Sequence, residues 1–223
     1  MLEVWGRRNA SNVLPVMWLI GELEIPHVRH DLGGSFGGVD TPEYRAKNPH
    51  GLIPTIVDGN CVVWESNAII RYLAAKYGAG TFWDPDPAKR SEADRWMEWF
   101  KTTAYRPYID LFWAIVRTEP ALRDRVRIAR LTETLHARLA ALDARLADRP
   151  YVAGDALTMG DIPIGPAIYR WLELEIERPE FPHIAAWYDR LCARPAFRAH
   201  AMVPFGRDPA EWYRLEREGV QAP

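Results

Sequence analysis

Cysteine is scarce in this chain: among 223 residues only Cys61 and Cys192 carry a thiol. Two cysteines so far apart make a disulfide scaffold or a cysteine-based metal site implausible and suit a reducing compartment, the cytoplasm. No apolar run approaches the roughly 20 residues that a membrane-spanning helix needs. Residues 1–20 also lack the pattern of a secretory leader. Charge of one sign is missing too. Lys and Arg total 28 against 30 Asp and Glu, a net of -2, so neither nucleic acid nor an acidic membrane is called for as a partner. The six histidines are scattered and unpaired, which leaves no metal-ligand spacing. The run Gly33-Gly34-Ser35-Phe36-Gly37-Gly38 lacks the Lys and Ser/Thr of a phosphate-binding loop, and no long helix follows it; nucleotide binding is rejected.

What remains is an ordinary globular balance, 48% hydrophobic and 26% charged, long enough for two modest domains. Leu2-Glu3-Val4-Trp5 alternates like a short strand. Ser11 or Asn12 can cap a helix whose face is Val13, Val16, Met17 and Ile20, with Pro15 in its first turn. Val28 to Leu32 reads as a second strand, and Thr41-Pro42-Glu43 opens a short helix. Thr55-Ile56-Val57 and Val62-Val63-Trp64 are strands joined through Asp58-Gly59-Asn60, a hairpin signal of the Asp-Gly type. Glu65-Ser66 then starts a helix carried by Ile69, Ile70, Leu73 and Tyr77, with Gly78 at its end. Beyond residues 79–87, rich in Gly, Pro and Asp, β signals stop. Helices are predicted over 88–116 with a bend at Pro107, 121–148, 161–172, 182–193, near 195–200, and 211–218. The order gives an α/β thioredoxin-like domain over 1–79, a linker over 80–87 and an all-α domain over 88–223.

Three residues in the hairpin region carry chemistry. Pro54 at a strand entrance is a candidate cis proline, because an X-Pro bond gives up only about 0.5–1 kcal/mol in going cis. That isomer would turn the Ile53 backbone outward, where its N–H and C=O could pair with a peptide-like ligand as an added strand does. Ser66 at a helix start offers a hydroxyl and free N–H groups to a carboxylate. Glu65 could take an ammonium. Each residue also has an ordinary structural reading, as a trans proline, a plain cap and a surface acid.

Taken together, the sequence from Asn48-Pro49 through Gly51, Ile53-Pro54, the hairpin, Glu65-Ser66-Asn67-Ala68-Ile69 and Arg71-Tyr72-Leu73 resembles the glutathione-binding half of cytosolic glutathione S-transferases. The likeness runs over nearly the whole chain. It implies a dimeric enzyme with glutathione as co-substrate and no metal. Glutathione would be held by Asn9, His50, Ile53, Pro54, Glu65 and Ser66. His50 stands where the family meets the glycyl carboxylate, though a free loop histidine reads the same way.

Such chemistry needs the thiol as thiolate. A free thiol has a pKa near 8.5, and each unit of lowering takes about 1.4 kcal/mol. A hydroxyl or amide aimed at sulfur from the first strand–helix loop can supply it. That loop, Arg8-Asn9-Ala10-Ser11-Asn12-Val13, has no cysteine and no tyrosine, and it is most similar to bacterial serine- or asparagine-type transferases of the theta and nu kind. The hydroxyl those relatives often place one step earlier falls on Ala10. Ser11 and Asn12 are left as the catalytic candidates, or else as simple helix caps. A hydrophobic electrophile would lie against Trp99, Tyr105, Arg106, Tyr108, Phe112 and Trp113, an aromatic stripe that equally suits a helix core. Conjugation leads; a cysteine-independent disulfide or peroxide reductase and a non-catalytic binding module are the alternatives. Thr158 and Asp161 read as a capping pair inside the helical half.

Overall fold

The computed structural model describes residues 1–218. Four short strands form one mixed sheet in the order β2-β1-β3-β4. β1 (Leu2–Trp5) runs parallel to β2 (His27–His30) and antiparallel to β3 (Thr55–Asp58), which pairs with β4 (Cys61–Trp64). The hairpin turn is tighter than the sequence suggests: Asp58 pairs directly with Cys61, leaving only Gly59 and Asn60 between the strands. Gly59 sits at φ 61°, the left-handed region such turns require. Helices α1 (Leu14–Glu22), α2 (Pro42–Arg45) and α3 (Ser66–Tyr77) complete this α/β half.

The helical half begins after a segment whose only pairing is a bridge between Ala79 and Trp83. Asp86 caps α4 (Pro87–Trp99) by accepting from the Ala88 N–H. The expected bend comes earlier than Pro107, as a π-helical turn over Phe100–Ala104 that leads into α5 (Tyr105–Val116). Proline removes one N–H and crowds the carbonyl four residues back, here Thr103, so the widened turn falls just before it. α6 (Arg125–Leu146) is capped by Asp124, followed by α7 (Gly165–Glu173), α8 (Pro182–Cys192), α9 (Pro195–His200) and α10 (Pro209–Glu218). Three of these differ from the periodic reading: α6 starts four residues later than expected, after a separate 3₁₀ turn over Pro120–Leu122. Residues 159–164 form turns, so α7 starts later, and Pro209 starts α10 earlier.

α1 is the joint between the halves. Every residue from Leu14 to Ile20 is buried, because α1 packs against α3 of its own half and against α7 and α9 of the other. Gly165 makes the α7 approach possible: a Cβ there would lie 2.7 Å from Trp18 Cζ3. Trp18 donates to Glu22, which is also paired with Arg194 at 2.6 Å. Asp161 anchors the helical core. Its fully buried carboxylate accepts from the Val152 and Thr158 N–H groups, the Thr158 hydroxyl and the Trp187 indole. Burial pushes this carboxyl's pKa up, against the pull of those hydrogen bonds. No helix among the described residues is long and apolar enough to cross a membrane.

Candidate active site

The loop leaving β1 is tied to β2 by the Gly6 N–H to His30 and the Arg7 N–H to Leu32. It then turns into α1 without a side-chain cap; the capping position is Val13. Ser11 and Asn12 are therefore not helix caps, and their polar groups are committed elsewhere. Ser11 Oγ accepts from Arg170 of α7 at 2.8 Å. Burial pushes the pKa of the Tyr105 hydroxyl up to about 12, with the nearby Asn12 amide opposing the rise. Asn9 is buried, its carbonyl accepts from Arg170 at 2.6 Å, and its amide N and O meet no partner.

Across a narrow cleft, Ser11, Asn12 and Ser66 face Lys101, Tyr105 and Tyr108. The structure thus brings together the two thiolate candidates, the carboxylate-binding candidate and two of the aromatic candidates. Ser66 is the first residue of α3, and Glu65 before it holds φ 68°. A non-glycine residue in that region stores strain of order 1–3 kcal/mol, a feature that gathers at binding sites. Glu65 is exposed and Ser66 buried, so the acid and the helix N-terminus address different parts of a ligand. The Ile53–Pro54 peptide is cis. His50 is exposed and sets its ring edge-on to Trp64 at 5.1 Å.

The aromatic stripe divides, with two corrections. Phe112 is 1% exposed, wedged against Phe205 and Trp212, so it supports the site from below and cannot touch an electrophile. Trp99 packs among α5, α6 and α7 and against Trp96, away from Ser11. Arg106 and Trp113 stand on the exposed face of α5, where Arg106 pairs with Asp110. At the end of that face Arg117 lies over Trp212 and Tyr213 of α10.

Sequence reasoning missed two groups. One is Arg170, an arginine in an apolar helix whose partners lie 159 and 161 residues away. The other is Glu216 of α10, buried against Arg7 at 2.6 Å and accepting from the Ser35 N–H in the glycine-rich loop. Burial lowers the pKa of Arg7, with Glu216 opposing and the Arg117 and Arg170 charges adding to the fall. Among the described residues no cluster of His, Cys, Asp or Glu could hold a metal ion.

Comparison with known proteins gives concordant results. Residues 11–76 match the profile described as the N-terminal domain of glutathione S-transferase, and residues 97–195 match its C-terminal domain. The chain is 38% identical to glutathione S-transferase GstB of Escherichia coli, over 92% of this chain and 99% of that one. It is 32% identical to glutathione S-transferase 3 of Zea mays, over 94% and 97%. Its fold superposes on the theta class glutathione S-transferase of Xanthomonas axonopodis pv. citri, solved with glutathione bound. There the TM-score is 0.88 and identity 48%, over 92% of this chain and 99% of the other.

Proposed function

Because the chain belongs to the glutathione S-transferase family, we propose that it activates glutathione at the Ser11–Asn12 turn and delivers the thiolate to a hydrophobic electrophile beside α5. It is an enzyme, its activity is glutathione conjugation, and glutathione is the co-substrate. The disulfide-reductase and binding-module readings are not favoured, since relatives matched along nearly their full length are named transferases.

The observation that carries this mechanism is the convergence of Ser11, Asn12, Ser66 and Tyr105 on one cleft. The N-terminus of α3 and the Ser66 hydroxyl receive a glutathione carboxylate, where backbone N–H groups and the helix dipole favour negative charge. Glu65 takes the ammonium, the Ile53 backbone pairs with the peptide, and His50 approaches the glycyl carboxylate. The sulfur then lies at the start of α1. Hydrogen bonds from the Ser11 hydroxyl or the Asn12 amide favour its charged form. The thiolate forms a C–S bond at the electrophilic carbon as a leaving group departs with the bonding pair. Tyr105 and Tyr108 line the inner wall, while Arg106 and Trp113 offer the open face of α5 to the electrophile.

Three broader readings go with this. We place the domain boundary in residues 80–87, assign the protein to the cytoplasm, and expect a homodimer; gel filtration with light scattering tests the last. The mechanism itself is tested by titrating bound glutathione through the ultraviolet absorbance of its thiolate. Ser11→Ala or Asn12→Ala raises the pKa of the bound thiol, and conjugation of an aromatic halide falls at neutral pH and recovers partly at high pH. If both variants titrate like the wild type, the thiolate is stabilised by something else.

A further inference from the structure

The hidden side of the β1–α1 loop is held by a cation from the opposite half of the chain. Arg170 has no exposed surface, and no carboxylate among the described residues pairs with it. One edge of its guanidinium serves the loop, with Nη1 to Ser11 Oγ at 2.8 Å and Nη2 to the Asn9 carbonyl at 2.6 Å. Phe112 at 4.7 Å, and Phe205 and Trp212 at 5.6 Å, surround the guanidinium and fix its plane. Among the described residues its Nε–H has no partner. A buried, unpaired charge is costly, and its only protein hydrogen bonds here go to a loop that faces a cleft.

The chemistry of guanidinium makes this arrangement directional. Arg can only donate, so Ser11 Oγ must accept from it. The serine's own proton is then free to point elsewhere, and the cleft lies on its other side. Without Arg170 that hydroxyl is left to bond whatever backbone group lies nearest, as serine side chains do. A hydroxyl that accepts from a cation is also a stronger donor, because hydrogen bonds in a chain polarise one another in a low-dielectric site.

We infer that Arg170 is a positioning residue for the reaction, one that turns the Ser11 hydroxyl toward the glutathione sulfur from the hidden side of the loop. The inference rests on Ser11 acting on the sulfur, so its test separates the two. Arg170→Met keeps the volume and removes both donors. In it the bound thiol should titrate about one unit higher, with turnover near neutral pH down about tenfold and recovering at high pH. KM for glutathione should stay within about twofold. Arg170→Lys, which retains the charge and one donor, should recover part of the shift. Ser11→Ala should show the same shift as Arg170→Met, and the double variant should show no more than either alone. Should Arg170→Met fail to fold, Arg170→Lys in the Ser11→Ala background decides: a shift beyond that of Ser11→Ala alone overturns the inference. So does an Arg170→Met shift that is undiminished in the Ser11→Ala background. If Ser11→Ala itself leaves the titration unchanged, the fault lies instead with Ser11 as the sulfur's partner.

Discussion

Two charged side chains are fully buried near the two ends of one short stretch of the helical half, Asp161 in the turns before α7 and Arg170 near the end of that helix. They are satisfied very differently. Asp161 takes four donors, all from its own half, and has no link to the cleft. Among the described residues Arg170 has no counter-charge, its Nε–H finds no partner, and it spends its bonded donors on the β1–α1 loop. The difference separates two uses of buried charge. A saturated group holds a structure together, whereas a group with open valence, aimed at a loop, is there for what the loop does.

The sharpest way to break this contrast is Asp161→Ala, which strands four buried donors at once. It should lower unfolding free energy by about 3–5 kcal/mol in urea titration. Turnover per folded molecule should stay as it was; a loss of turnover at unchanged stability would erase the distinction drawn here. Ser66→Ala tests the cleft side. It should weaken glutathione binding by about 1–3 kcal/mol in calorimetry and leave the melting curve nearly intact, the reverse of Asp161→Ala.

A smaller effect sharpens the contrast at the protein's edge. Asp58 loses some solvation on burial, yet hydrogen bonds from Lys76, Tyr77 and Tyr72 hold its pKa below the ordinary 3.8. A lowered folded pKa means that its contribution is complete above the unfolded value and is lost as pH falls through the folded one. Asp58→Asn should therefore flatten stability against pH below about 4, with no change in turnover at neutral pH. The smallest effect belongs to the thiols. Cys61 lies on β4, and burial raises the pKa of Cys192 near the end of α8. The Cys61→Ser/Cys192→Ser double variant should keep wild-type conjugation rates, and a clear loss would bring back a protein thiol.

How much of this was legible in the sequence follows from how local each signal is. The hairpin at Gly59, the cap at Thr41 and the helix beginning at Ser66 are written within a few neighbouring residues, and they stand as read. The likeness to transferases rested on such local runs. What depends on the other half of the chain was hidden. Ser11 and Asn12 read as caps because nothing nearby showed that Arg170 and Tyr105 would claim them. Phe112 and Trp99 belonged to an aromatic stripe whose buried and open faces could not be told apart before the π turn was known. Arg170 in Ile168-Tyr169-Arg170-Trp171 carries one faint cue, a charge at a position where the helix is otherwise apolar.

The loop at residues 7–11 is separated by most of the sequence from the partners that complete it. Ser11 waits for Arg170, and Arg7 waits for Glu216. A nascent or prematurely terminated chain can thus carry the whole hairpin, Glu65 and Ser66 included, and still present an unfinished loop. On this arrangement a chain that stops before α7 carries the groups for glutathione's backbone but has nothing in place to position Ser11.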